Sequence, residues 1–568
     1  MRTDVIQTST ATPRYCWVSE RPRRLLMSGC SRLVGAIVTA AVLASAPLHA
    51  QVRRSTSVDW LVSANSEGET YLRALRLGED MPSYPWSIRS FSGDEIERLL
   101  PVGLAHPWAS SFSSAPGAAG VRIFAPEAIA IFNTGFPFGD NDGAVWAGRG
   151  LTTAFTFGAR FSRGPIDLQV APQFFRAENA DVPLRPNGQT GRLSFADADA
   201  EHRIVIDLPQ RFGTAAYQRL DAGQSTLRVS VAGVAGGVST ANEFWGPAAR
   251  DPFLLGNNAA GFPHLFAGTS HPIGLLGVTV HARAIAGKLG QSDYSSSDMT
   301  GRGRYLSGLV AMVTTPLLPG LEIGGGRLFH NVYADSNVSI AKVIDPLFHA
   351  FLKEDRARVL GSVTGDEPDN QLASLFARLT FPGSGVEIYG EFGREDSAFD
   401  LRDLLQEPDH DSSVLLGVQK VWRRSPTRLV QFRVESFSTR LTHLDNVRLE
   451  SPAYVHYTIT QGHTNLGQIL GAPDGYGGDG AFLSIDDYQP GGRTSLQYVR
   501  STRRQVRFAE TLPGGPVADV LHSIALERLS FHDHFDFVRN VALVYELNRD
   551  LTHDSFNLKA SASLRAHW

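Results

Sequence analysis

Apolar side chains recur at every second position through much of this chain, the period of a strand whose two faces meet different surroundings. From Leu151 to Phe161 the odd positions read Leu, Thr, Phe, Phe, Ala, Phe, and the even positions between them Thr, Ala, Thr, Gly, Arg. After an Arg163-Gly164-Pro165 link that reads as a hairpin, Ile166, Leu168, Val170 and Phe174 share one face and Asp167, Gln169 and Gln173 the other. The same alternation predicts strands at Leu227 to Val231 and Leu276 to Val280. It does so again at Val386 to Phe392, with Glu387 and Glu391 on the polar face, and at Val430 to Val434, interleaved with Gln431, Arg433 and Glu435.

Alternation alone suits both a soluble sandwich core and the lipid-facing wall of a barrel. The C-terminus separates them. Phe556, Leu558, Ala560, Ala562, Leu564, Ala566 and Trp568 lie on one face of a final strand, and Asn557, Lys559, Ser561, Ser563, Arg565 and His567 on the other. A long amphipathic last strand ending on an aromatic residue resembles the signal by which outer-membrane barrels engage their assembly machinery, which is therefore an expected partner at Trp568.

The other end of the chain reads as an address. Arg21, Arg23, Arg24 and Arg32 precede an apolar run of roughly fourteen residues, Leu33 to Ala46, too short for a membrane helix of ~20 and followed by Pro47 and a small residue at Ala50. Residues 1–50 are expected to be a cleaved secretory signal, with Met1 or Met27 as the start. Cys30 sits in a lipoprotein-like string, but that string precedes the apolar run, so no lipidation is expected. Cys16 and Cys30 are the only cysteines, and both fall in this segment, which excludes disulfides and thiolate metal sites from the exported part.

An exported chain with no later span suited to a membrane helix, closing on this strand, predicts an all-β fold. The expected architecture is a large antiparallel transmembrane barrel in a Gram-negative-type outer membrane, in contact with its lipid. Its strands must close on themselves, because an open sheet edge in hydrocarbon leaves backbone groups unpaired. The roughly 450 positions after residue 115, at about 25 per strand with its loop, make about 18 strands. Arg176–Gln218 and Tyr457–Gly492 are long polar stretches that either fold inward or stand up as surface loops. Residues 51–115 precede the barrel as a small helical periplasmic region that packs against or plugs it. There Glu69 to Leu77 is a helix ending at Gly78, and Ser92-Gly93-Asp94-Glu95 is a capping box opening a helix over Ile96–Leu100 that Pro101 stops. Leu99 to Val121 is free of charge but carries Pro101, Pro107 and Pro116, so it is a linker or wall segment and not a helix.

Composition narrows function by exclusion. The 568 residues carry 53 basic and 57 acidic side chains, a net charge of −4, and the exported part is more acidic still, so no nucleic-acid partner is expected. No GxSxG elbow, phosphate-binding loop or HExxH pattern is present, and no catalytic residue or cofactor is assigned.

Several strings together resemble the Wzi family of outer-membrane capsule-assembly proteins: DGAVWAGRGL at 142–151, DLPQRFG at 207–213 with GQS at 223–225, NEFWGPA at 242–248 with GNNAAGFPH at 256–264, and GHTNLGQILG at 462–471. The chain departs from the family pattern at Phe244, where a second tryptophan is expected, and at Ala248, where glycine is. The resemblance implies a monomeric 18-stranded barrel, plugged by an N-terminal helical bundle, that binds exported surface or capsular polysaccharide as a lectin and helps attach it to the cell.

Within these strings Trp245, with Asn242 and Glu243 beside it, offers a ring face for stacking on a sugar and amide and carboxylate groups for its hydroxyls. The alternative is a girdle aromatic beside a tight turn. Asn257, Asn258, Gln461, His463 and Asn465 carry the same donor and acceptor chemistry on expected loops. His532, Asp533, His534 and Asp536 place two imidazoles at metal-binding spacing but read better as a polar turn. Asp474, Asp479, Asp486 and Asp487 lack EF-hand spacing and read as a solvated acidic loop, so no metal is assigned. Two other functions remain open from sequence: a channel or porin for sugars or other small solutes, which requires an open lumen, and a barrel hydrolase.

Overall fold

The computed structural model describes residues 61–78, 84–99, 105–109, 120–199, 205–348, 369–395, 400–440, 452–503 and 518–567. The expected export signal and Trp568 lie outside them. Among the described residues, all strands but a two-residue pair, Thr464–Asn465 with Gln468–Ile469, form one antiparallel sheet that closes on itself with eighteen staves. They are β1 Gly120–Asn133, β2 Gly150–Arg163, β3 Ile166–Val170 continued by Gln173–Ala177, β4 Tyr217–Asp221 continued by Thr226–Val231, β5 Val234–Ser239, and β6 His264–Thr269 continued by Ile273–Leu275. The wall goes on through β7 Val278–Leu289, β8 Arg302–Thr314, β9 Leu321–Ala334, β10 Asp369–Phe381, β11 Val386–Glu395 and β12 Ser412–Ser425. It ends with β13 Arg428–Ser438, β14 Asp479–Gln489, β15 Gly492–Arg503, β16 Asp519–Phe531, β17 Phe535–Arg549 and β18 His553–Ala566. Closure comes from β1, which pairs with β2 on one edge and β18 on the other, setting Phe132 opposite both Leu151 and Ala560.

The alternation read from sequence is the inside and outside of this wall. Phe155 and Phe157 are 44% and 52% exposed, while Thr152 and Arg160 on the opposite parity are buried. Ile166, Leu168, Val170, Phe174, Leu227, Ile388, Phe392 and Val434 also face out. An apolar exterior around a polar interior is the reverse of a soluble sandwich and is stable only with hydrocarbon outside. Hairpins at one end are short, such as Ala232-Gly233, both at positive φ as a tight two-residue turn demands. Connections at the other end are longer, apart from the three residues Asp550–Thr552 between β17 and β18. Outer-membrane barrels keep their short turns on the periplasmic side.

The lumen is filled. Helix α1, Glu67–Gly78, starts where the Ser66 hydroxyl accepts from the Glu69 amide (3.3 Å), two residues earlier than the expected start. Its Tyr71, Leu75 and Leu77 pack on the inner sides of Val421, Leu429, Tyr488 and Leu529 near the short-turn end. Helix α2, Gly93–Leu99, opens on the capping box: the Ser92 amide donates to Glu95 Oε2 (2.9 Å) and the Glu95 amide to Ser92 Oγ (3.3 Å). It begins ahead of Ile96 because the box fixes the first turn at Gly93. Trp108 stacks on Tyr71 at 4.0 Å, and its indole donates to the Gly492 carbonyl at 3.3 Å.

Two expectations about loops are corrected. Tyr457–Gly492 is not one polar stretch, because its second part is β14. Asp479, Asp486 and Asp487 therefore belong to a wall strand instead of a solvated acidic loop. Asp486 is wholly buried between Arg433 (3.0 Å) and Arg493 (3.8 Å), which supply the counter-charge that lets a carboxylate face inward. His532, Asp533 and His534 do form the turn between β16 and β17, while Asp536 lies on β17, buried against His567 Nε2 at 2.8 Å. Among the described residues no group of His, Cys, Asp and Glu has metal-holding geometry.

Candidate functional site

Among the described residues, long connections turn into the barrel instead of standing above it: 178–199 and 205–216 after β3, 240–263 after β5, and 452–478 before β14. The charged inner faces of the strands hold them. The Glu435 carboxylate of β13 accepts from the backbone amides of Ala249, Arg250 (2.9 Å) and Asp251 (2.8 Å) and from the Tyr389 hydroxyl (2.7 Å). Glu387 of β11 accepts from Arg73 of α1 at 2.5 Å, and the same guanidinium donates to the Pro247 and Ala248 carbonyls at 2.7 and 3.3 Å. One arginine thus joins helix, wall and infolded loop.

Most of the sugar-binding candidates sit inside this assembly. Trp245 is fully buried, its indole donating to Glu243 Oε2 at 3.2 Å, and no sugar reaches its ring in this conformation. Its Glu243 neighbour pairs with Arg283 (2.6 Å) and His264 (3.2 Å). Burial pushes the Glu243 carboxyl up, but those two partners outweigh it and hold the group well below the usual carboxylate range. Asn242 is a clamp, donating to the Gly256 and Ala259 carbonyls at 3.3 and 2.8 Å. Asn465 donates to the Ala260 carbonyl (3.1 Å), and Gln461 to Gln291 (2.9 Å). His463 is buried with Nε2 on the Leu254 carbonyl and Nδ1 at 2.8 Å from His330 Nε2. Burial pulls its imidazole down to about 3, against a small opposing effect of the Leu254 contact. The two remaining candidates, Asn257 and Asn258, are half-buried and line cavities.

Near the long-loop end, a cavity of about 190 Å³ opens between the tops of β15 to β17 and the infolded loops. Its lining takes in Phe136, Phe138 and Tyr476, which are buried, and Trp146, which is half-buried, together with the charged and amide groups of Asp140, Gln210, Asn258, Gln468, Asp474, Arg503 and Arg549. Arg503 lies 3.6 Å from Asp474, 3.9 Å from Asp140 and 4.0 Å from Glu546. Arg549 spans Phe136, 4.9 Å from the ring centre, and Glu546 at 3.4 Å. Burial raises the Asp474 carboxyl to about 6, in opposition to Arg503 and helped by the neighbouring Asp140.

A second cavity, about 160 Å³, lies deeper, between Ser63, Ser66 and Glu67 of the N-terminal segment, Glu127 and Arg565 of the wall, and Asn242 and Asn257 of the loop. Asparagines separate the two chambers. The Asn141 amide donates to Asn258 Oδ1 (3.3 Å), Asn257 donates to the Asn141 carbonyl (3.0 Å), and Asn258 donates to the Ile469 carbonyl (3.0 Å).

Sequence reading missed Asp140, Arg503, Arg549 and Tyr476. Trp146 was in view within DGAVWAGRGL but not singled out. A usable signal existed for Arg503 and Arg549: each stands at the long-loop end of a strand, where an inward charge faces the mouth of the barrel.

Residues 140–517 match the sequence family described as capsule assembly protein Wzi. Among solved structures, the chain is similar to Escherichia coli Wzi, an outer-membrane protein involved in group 1 capsule assembly and described as a carbohydrate-binding β-barrel. The two are 15% identical over 88% of this chain and 98% of that one, with a TM-score of 0.57. Weaker likeness extends to OccK5 of Pseudomonas aeruginosa (10% identity, 79% and 99% covered, TM-score 0.36) and OccAB2 of Acinetobacter baumannii (11%, 77% and 96%, 0.37). No curated protein sequence matches the chain.

Proposed function

The chain belongs to the Wzi family of capsule assembly proteins, and from that premise we propose that it is a non-catalytic outer-membrane lectin. It holds exported surface polysaccharide at the long-loop end of a plugged barrel and so keeps the glycan on the cell. The observation that carries this reading is the outer cavity, where the half-buried ring of Trp146 meets Arg503, Arg549 and the amides of Gln210, Asn258 and Gln468 over a buried floor of Phe136, Phe138 and Tyr476. Rings stack on the C–H faces of sugars, while guanidinium and amide groups bond hydroxyls and acidic substituents. Of the residues singled out in sequence, Asn258 stays in the binding set, and Asn257 lines the deeper cavity beneath it. Asn242, Trp245, Gln461, His463 and Asn465 act behind it by fixing the loops.

The same proposal includes a cleaved signal at 1–50, N-terminal residues 51–115 on the periplasmic side, a monomer, and insertion by the barrel-assembly machinery through the last strand. It favours retention over transport because α1 and the infolded loops occupy the lumen. The test is binding of the purified full chain to surface polysaccharide extracted from the producing strain, compared with Arg503→Ala. A charge-assisted bond is worth about 1.5–3 kcal/mol, so affinity should drop roughly tenfold or more. Equal binding by both proteins, or a deletion strain that keeps its glycan cell-bound, would sink the proposal.

A further inference from the structure

The barrel wall has a notch. At Thr240 the chain leaves β5 for the lumen and returns only at Pro263, so neither β5 nor β6 extends toward the long-loop end. Tyr217–Asp221, the upper part of β4, is consequently paired along β3 and not along β5. Strands β3 and β4 are both broken at this level, at 171–172 and 222–225. Gly223 stands at φ +59 where a Cβ would lie 2.2 Å from the Ala171 carbonyl oxygen, so the break is built on a residue without a side chain.

Below the notch runs an unbroken apolar row. In register across six strands stand Phe161, Leu168, Leu227, Val238, Leu265 and Ala286. The four residues from Leu168 to Leu265 are all exposed on the outer face. With Val170 they line an outward-facing groove of about 570 Å³. The groove is blind. On the luminal side Gln224 and Asn242 exchange two bonds, Gln224 Nε2 to Asn242 Oδ1 (2.8 Å) and the Asn242 amide to Gln224 Oε1 (3.2 Å), which close the seam.

We propose that this groove is a binding site for one acyl chain of a glycerophospholipid entering from the periplasmic rim. The groove is continuous with the lipid-facing surface of the wall, and at that depth hydrocarbon is the material available to fill a gap whose lining otherwise lacks contacts. Charge sets the direction of entry. Arg163 shares the outward parity of Phe161, is exposed, and stands opposite Ile166 at the short-turn end, where a cation meets a lipid phosphate. From Ile166 the outward face climbs through Leu168 to Val170, a rise of about 13 Å, which an acyl chain spans with ease.

The test reconstitutes the full chain in vesicles of phosphatidylethanolamine and phosphatidylglycerol, a fraction of the former carrying a diazirine in mid-chain, and maps photolabelled residues by mass spectrometry. Leu168, Leu227, Val238 and Leu265 should be labelled about tenfold more than Ile524, Leu526 and Leu543, which are exposed elsewhere on the wall. Filling the groove with Leu227→Trp and Val238→Trp should remove the excess; Val238→Phe serves where the double variant does not fold. Arg163→Glu should reduce the excess without abolishing it. Uniform labelling around the barrel overturns the proposal. So does an excess seen only when the diazirine is carried by lipid A instead of the phospholipid.

Discussion

Arg73→Met is the perturbation that most directly asks what holds the plug. The guanidinium is 4% exposed and makes bonds to Glu387 Oε1 and to the carbonyls of Pro247 and Ala248. Removing one partner of a buried ion pair costs about 3–5 kcal/mol. The lower end applies here, because Glu387 keeps Arg378 at 2.7 Å and Gln419 at 2.7 Å, so its carboxylate is not left alone. Methionine also restores part of the lost volume. A loss of about 3 kcal/mol in docking raises the undocked population of α1 roughly a hundredfold. Amide hydrogen exchange over Glu67–Gly78 reads that population directly where exchange proceeds through local opening. The acceleration should be confined to α1 and the 240–263 connection, with the amides of β16 to β18 unchanged. Exchange in α1 at the wild-type rate would refute the reasoning and shift the anchoring to the apolar contacts of Tyr71, Leu75 and Leu77 and to the Glu67–Arg565 ion pair at 2.7 Å.

Trp245→Ala should cost about 3–5 kcal/mol of stability by leaving a cavity in the luminal core, whereas Trp245→Phe should leave glycan affinity unchanged; a fall in affinity with normal thermal stability would return this ring to the binding surface. His463 is neutral in the folded protein because burial lowers its imidazole from 6.5 to about 3. Undocking therefore takes up a proton below about pH 6.5, and stability is lost as pH falls from there toward 3, by up to about 1.4 kcal/mol per pH unit. Protection of the Leu470 amide, which donates to the His463 carbonyl at 3.1 Å, should be lower at pH 4.5 than at pH 7.5 once the slower intrinsic exchange at acid pH is divided out, and His463→Gln should flatten that difference. In a planar bilayer the intact protein should not conduct, and the protein lacking residues 51–100 should show large steps; steady conductance from the intact chain would put the channel reading first.

How legible this molecule is in its sequence depends on which boundary a residue faces. Hydrocarbon outside the wall imposes a strict rule, and Phe155, Leu168, Leu227 and Phe556 obey it, so strand positions follow from parity, while the choice of a closed barrel over a sandwich rests on the export signal and the long amphipathic last strand. The lumen imposes no such rule. Its wall presents Glu387, Glu391, Arg433 and Glu435, all of which the alternation had placed on a polar face, but parity does not say what they grip. The partners of Glu387 and Glu435, Arg73 and the 249–251 amides, lie far away along the chain. The same fact explains why Trp245, Gln461, His463 and Asn465 resembled surface-loop residues. In a soluble protein a glycine-rich, amide-rich segment is polar because it meets water. Inside a barrel with a charged wall such a segment can be polar because it meets protein, and its asparagines spend their donors on backbone carbonyls, as Asn242 does on Gly256 and Ala259. Polarity therefore separates outside from inside in the strands but not surface from core in the loops. The residues left facing the mouth are those whose partners come from several loops and a strand top at once, as Arg503 draws Asp140, Asp474 and Glu546.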